Sequence, residues 1–184
     1  MKDTKDYQDA LAFATEIHKH QFRADGSAYI NHPIRVADIL IELGRPIEEV
    51  LAALLHDTIE DVEGDDVKKA VSDEILSRFG ATVLSIILHS MKISKKTDGN
   101  RATRVLIDLH HYKTGTFKNH NVKTADIVAN LEEANSLPED FRKKWVKEKE
   151  LFIIELEKMY SAYDGDKFQK SLLVRARTLI NQLR

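Results

Sequence analysis

Cysteine is absent from all 184 residues of the chain. That excludes thiolate zinc sites, a cysteine nucleophile and a disulfide framework, and it fits a reducing cytoplasm. Proline and glycine are scarce, at three and seven residues, so few positions force the chain to turn. No apolar run approaches the roughly 20 residues of a membrane span, and the opening MKDTKDYQDA is too polar for a secretion signal. Neither charge sign dominates: 28 Lys+Arg against 30 Asp+Glu give a formal charge of −2, which removes any overall positive field for nucleic acid or an anionic membrane. The expectation is a soluble cytoplasmic protein with neither nucleic acid nor membrane as partner, and with oligomerisation left open. A chain of this mass buries roughly 70% of its extended surface, enough for a core without staples. We read residues 1–184 as one domain.

What is present is apolar spacing of three and four residues, helical rather than strand-like, which predicts an all-α fold. A first helix is expected from about Tyr7 to Gln21, with Asp3 or Thr4 as its cap. A second opens at Pro33 and is closed by Gly44. A third is expected from Ile47 to Thr58 or slightly beyond, central and buried because VLAALL is apolar around most of its circumference. Further helices are expected from Asp65 to about Gly80, from Thr82 to Met91, from near Asn121, from Pro138 to about Tyr160, and from a cap at Asp164 or Asp166 to Leu183. Between Ser94 and Gly115 the chain reads as basic and broken.

The most informative pattern is HDTIED, His56 to Asp61, at the end of the apolar helix. Continued at about 100° per residue, the helix would set His56, Asp57, Glu60 and Asp61 within an arc of roughly 140°. A histidine beside a carboxylate suits a borderline divalent cation such as manganese, iron or zinc. Glu60 and Asp61, a turn later, could orient or deprotonate a water whose pKa the cation lowers. A buried His–Asp pair on a solvated acidic helix end is the plainer alternative. Carboxylates at a helix C-terminus oppose the macrodipole, however, so something positive should compensate. His32, in NHP, and Asp126, in KTADIVAN, would complete a ligand set. Asp126 lies among apolar neighbours, where an unpaired carboxylate is costly. Asn130, one turn on, could share its face and bond a substrate. Lys92, Lys95, Lys96, Arg101, Arg104 and Lys113 form either a solvated face or an anion site. His18, His20, His89, His110, His111 and His120 lack a matching carboxylate pattern, and Phe152, Tyr160 and Tyr163 read as packing residues.

The succession HQFRADGSAYINHP, AALLHDTIED, RFG with Lys92 twelve residues after Gly80, and VKTADIVANL resembles the HD-domain hydrolases of the RelA/SpoT type, especially the single-domain small alarmone hydrolases, over about residues 10–131. The resemblance implies an all-α, single-domain HD-type bundle with one divalent cation, usually Mn2+. Its implied reaction removes the 3′-diphosphate of guanosine tetra- or pentaphosphate, (p)ppGpp, leaving GDP or GTP and pyrophosphate. The implied metal ligands are His32, His56, Asp57 and Asp126, and the implied acidic pair is Glu60 and Asp61. Arg23 would pack on the guanine ring, and Asn130 would contact the nucleotide. Lys92, Lys95, Arg101 and Arg104 are candidate phosphate binders.

Three departures accompany the resemblance. The basic residue expected after Arg23 is Ala24, followed by Asp25; the Thr-Lys after the FG helix is Met91-Lys92; and the region around Trp145 differs. Two alternatives therefore stand beside the first reading. One is the same chemistry on another phosphorylated nucleotide, such as an adenosine alarmone, a phosphorylated cofactor or an RNA-borne diphosphate. The other is a non-catalytic nucleotide-sensing module.

Overall fold

A computed structural model of the chain describes residues 1–161 and 167–184. Among them are eight α-helices: α1 Lys5–Ile17, α2 Asn31–Glu42, α3 Ile47–Leu55, α4 Asp65–Ser90, α5 Arg101–Lys113, α6 Phe117–Glu132, α7 Glu139–Ser161 and α8 Lys167–Gln182. No strand occurs among the described residues, only an isolated bridge between Phe22 and Ala28 in the α1–α2 loop. The expected all-α architecture is what the chain adopts. Among the described residues no helix is long and apolar enough to cross a membrane.

The core is built around α3 and α6. In α3, the residues from Glu49 to Leu55 are all buried, as a helix apolar on every side must be. The charge of Glu49 is carried inside by a two-pronged contact from Arg45 and a hydrogen bond donated by Asn121 of α6. Helix α6 packs against α2, α3, α4 and α8, burying Val122, Ala125, Ile127, Val128, Ala129 and Leu131. Thr4 caps α1 through Tyr7 N–H.

Four boundaries differ from expectation, each for a local reason. Helix α1 ends at Ile17, where the chain turns and Gln21 N–H reaches back to the His18 carbonyl. Helix α3 stops at Leu55 because side chains capture its last carbonyls: His56 Nδ1–H donates to Ala53 O at 2.8 Å and Thr58 Oγ1 to Leu55 O at 2.7 Å. Residues 56–60 therefore form turns rather than the helical arc expected for HDTIED. The stretch read as broken contains α5, whose Asn100 cap accepts from Thr103 N–H. Helix α6 begins at Phe117 rather than near Asn121, started by reciprocal capping between Thr116 and Asn119. Gly115 is required there, since a Cβ would lie 2.0 Å from Asn119 Oδ1. The expected break near Gly80 is present: α4 runs through it with φ 86°, a conformation that favours glycine, and bends there into two halves. Asp164, Asp166 and Tyr163 lie outside the described residues.

Candidate active site

Three remote segments converge at the end of α3. His32 enters from the first turn of α2, His56 and Asp57 from the turn after α3, and Asp126 from the middle of α6; both histidines and Asp126 are buried. His32 Nε2 lies 3.1 Å from Asp126 Oδ1 and 4.0 Å from Asp57 Oδ2. His56 Nε2 lies 3.1 Å from Asp57 Oδ2 and 3.8 Å from Asp126 Oδ1. In an octahedral set with bonds of about 2.1 Å, adjacent donors sit about 3.0 Å apart and opposite donors about 4.2 Å. The four histidine-to-carboxylate distances fall in that range; His32, His56 and Asp57 bring donor atoms within 4.8 Å of one another, and Asp126 stands beside both histidines.

The donor chemistry fits a cation as well. His56 donates its Nδ1–H to a main-chain carbonyl, which leaves Nε2 to face the carboxylates with its lone pair. Close as it is to Asp57, that Nε2 is off the line of a hydrogen bond and has no other partner, a buried polar atom in want of one. Two neutral imidazoles and two carboxylates sum to the charge that a divalent ion cancels. The protonation equilibria report the same demand. Burial alone would lower the His56 pKa, yet the adjacent Asp57 and Asp126 carboxylates push it up to about 9. Burial would raise Asp57 and Asp126, but His56 holds the first well below the usual carboxylate range, and Lys123 with His32 does the same for the second. The site is built around positive charge.

The acidic pair diverges. Glu60 accepts from the Lys92 main-chain N–H at 2.9 Å and pairs with its ammonium at 2.5 Å. Asp61 lies instead 4.0 Å from His18 Nδ1. Burial, followed by the nearby Asp57 and Glu60 charges, pushes the Asp61 carboxyl up to about 6. Tyr29 donates its hydroxyl proton to Asp57 Oδ2 at 2.7 Å and stacks at 4.8 Å on the ring of His18. His18 is buried and donates to Gln21 Oε1, and burial lowers its pKa, so it serves as a neutral wall.

Two cavities flank the cluster. On one side, about 230 Å³ is lined by Phe22, Arg23, Tyr29, Asn130, Phe141 and Trp145, with Ala24 and Asp25 at its edge. Arg23 is held flat there: Glu133 Oε2 accepts from Nε at 3.0 Å and from Nη2 at 2.6 Å, and Asn130 Oδ1 accepts from Nη2 at 3.0 Å. Asn130 also donates to the Asp126 carbonyl, joining this cavity to the His–Asp cluster. On the other side, about 380 Å³ is lined by Lys92, Arg101, Arg104, Lys123 and Lys149 among others. Arg101 pairs across it with Glu148. Lys95 does not line it; its main-chain N–H is bonded to Asp98. Lys113 pairs with Glu155, and Tyr160 bonds His120 in the interior, away from both cavities.

Tyr29, Glu133, Lys123 and Lys149 were not singled out from the sequence. Lys123, one turn before Asp126, had a helical-spacing signal for its 3.0 Å ion pair. The others carry none, because their relation to the site arises only from packing.

A family model described as HD domain matches residues 10–149, more than half of the chain and including all four clustered side chains. The chain belongs to the HD-domain family. Among its relatives, the guanosine-3′,5′-bis(diphosphate) 3′-pyrophosphohydrolase MESH1 of Danio rerio is 35% identical over 131 residues, 69% of this chain and 68% of that protein. Enzymes named guanosine-3′,5′-bis(diphosphate) 3′-pyrophosphohydrolase from Haemophilus influenzae and Aquifex aeolicus are 32% and 42% identical, over 73% and 50% of this HD chain. The chain spans only 20% and 12% of the length of those two bacterial relatives. The fold is also that of a solved structure described as a metazoan ortholog of SpoT that hydrolyzes ppGpp, with a TM-score of 0.74, 16% identity and coverage of 99% of this chain and 97% of that one.

Proposed function

We propose that residues 1–184 act as one HD-type phosphohydrolase domain that removes the 3′-diphosphate of (p)ppGpp, giving GDP or GTP and pyrophosphate. The relatives named for this reaction support the substrate, and a cytoplasmic location goes with it. The observation that carries the chemistry is the convergence of His32, His56, Asp57 and Asp126, with a partnerless imidazole nitrogen among them. We assign these four as ligands of one divalent cation, Mn2+ in our reading. Such an ion supplies Lewis acidity toward a phosphoryl oxygen and lowers the pKa of water.

The chain's own residues do the rest. Water adds to the phosphorus next to the ribose, the bond from that phosphorus to the 3′-oxygen breaks, and the 3′-oxygen takes up a proton. Glu60 or Asp61 positions the water and handles that proton. Arg23, fixed by Glu133 and Asn130, offers a guanidinium plane on which a base can stack. Lys92, Arg101 and Arg104 face the phosphates. The deciding experiment is a manganese-supplemented screen of guanosine and adenosine 3′-diphosphate nucleotides with pyrophosphate detection. Guanosine tetraphosphate should turn over best, and turnover undiminished after chelation and dialysis would refute the assignment.

One observation favours a different substrate on the same machinery. Ala24 and Asp25 edge the base-side cavity, so the cation beside the base is missing and a carboxylate is present. Turnover of an adenosine 3′-diphosphate ahead of the guanosine one would select that reading.

A further inference from the structure

Lys149 of α7 lines the basic cavity and takes no part in the hydrolysis described above. Its ammonium lies 5.1 Å from the centre of the Trp145 ring, one helical turn back, and Lys123 of α6 and Lys92 after α4 are its cationic neighbours. Four carboxylates lie in or behind the same walls, and each is engaged elsewhere. Glu60 pairs with Lys92, Glu148 with Arg101 and Asp126 with Lys123. Asp108 accepts from the main-chain N–H groups of Ile93 and Ser94 and from the Ser94 hydroxyl. Lys149 has no ion pair among the described residues, and neither have Lys96 and Arg104, which line the cavity with it.

An ordinary lysine, with a pKa of about 10.4, is protonated at neutral pH and inert toward electrophiles. Desolvation and a second cation alongside are the two ways to free its lone pair. Lys149 has both: burial, and then Lys123, bring it down to about 8 against the opposing pull of Asp126 and Glu148. The cavity of about 380 Å³ has Met91, Val105 and Phe152 among its walls, so a small neutral electrophile can reach the amine.

We propose that Lys149 is a reversible carbamylation site for carbon dioxide. The uncharged Nζ attacks the carbon, an N–C bond forms as one C–O π bond opens, and a proton leaves the nitrogen for solvent. A carbamate anion then stands beside Lys123 and Lys92. The neighbours that free the amine also favour the product, since three crowded ammoniums become two with an anion between them. On the function proposed above, that anion lies in the path of the phosphates, so dissolved carbon dioxide acts as a brake on hydrolysis.

The full chain, loaded with manganese and desalted, should be equilibrated near pH 8 with carbon-13-labelled bicarbonate. Triethyloxonium ion then fixes carbamates as ethyl esters for peptide mass spectrometry. Lys149 should carry label at about tenfold or more the level of any surface lysine, with the amino terminus of the chain as the internal control for trapping. Lys149→Arg should lose that label and keep the terminal one. Bicarbonate at constant pH and ionic strength should raise KM for guanosine tetraphosphate several-fold in the parent and leave KM unmoved in Lys149→Arg, whose guanidinium keeps the charge. Lys149 labelled no more than surface lysines overturns the site, a result that needs no variant. Equal inhibition of both proteins assigns the effect to bicarbonate as an ordinary anion and overturns the brake. Hydrolysis by a protein whose Lys149 stays unlabelled removes this inference alone. Label on Lys149 in a protein that hydrolyses no 3′-diphosphate nucleotide upholds the site and removes the function.

Discussion

The candidate metal cluster and the basic cavity lie side by side and handle charge in opposite ways. In the cluster each carboxylate faces both histidines within 4.0 Å, and His32 Nδ1 and His56 Nε2 are left without a hydrogen-bond partner. In the cavity three of the six cations have no ion pair among the described residues, and burial and then Lys123 hold Lys149 down to about 8 against the opposing pull of Asp126 and Glu148. On the function proposed above, the first would hold a fixed small cation and the second an anion that comes and goes. A hydrolase that must hold its ion through every turnover and release a polyanion needs both arrangements.

Breaking the closed side should have the largest effect. Asp126→Asn removes one anionic donor and leaves Lys123 unanswered; we expect more than about 100-fold loss of turnover together with loss of bound manganese measured by elemental analysis. A variant that keeps its metal and its rate would remove Asp126 from the ligand set. Tyr29→Phe deletes only the hydroxyl donated to Asp57, and metal affinity should fall by about 10- to 100-fold, read from a manganese titration. Glu133→Gln weakens the clamp on Arg23 without touching the cluster, so KM for the nucleotide should rise several-fold with kcat nearly unchanged; a fall in kcat alone would contradict a role in base binding.

The smallest effect sharpens the open side. Lys149 loses its proton near pH 8, so pyrophosphate affinity should weaken by a few-fold between pH 7 and 9 as the charge disappears. The groups that act on it are Lys123, Lys92, Asp126 and Glu148; the Lys123 and Lys92 ammoniums are raised and the Asp126 carboxyl is lowered, all away from that window. Lys149→Arg, which stays charged, should flatten the profile. The same slope in both proteins would assign it to another group.

Most of this was legible where a residue type conflicts with its surroundings. Asp126 stood out because a carboxylate sits among Ala125, Ile127 and Val128, and HDTIED because four ionisable groups end an apolar helix. The helical core followed from periodicity, since VLAALL leaves no polar face. Helix α5 was missed because its basic residues conceal a sound cap at Asn100 and a short inner face of Leu109 and Tyr112. The length of α3 was overread because periodicity does not register a histidine and a threonine folding back on the last carbonyls. Lys149 gave no signal at all. It sits in KWVKEKE, where one lysine looks like the next, and only the docking of α7 against α6 gives it a distinct environment.

The anchoring of His56 to the Ala53 carbonyl has a consequence for how this protein can fail. The ring takes its aim from the main chain of the most enclosed helix, so the geometry of ion capture is inherited from hydrocarbon packing several residues away. Trimming Leu54, far from any reacting atom, would tilt the carbonyl that steers the imidazole, and the lesion would surface as a loss of metal before any loss of shape.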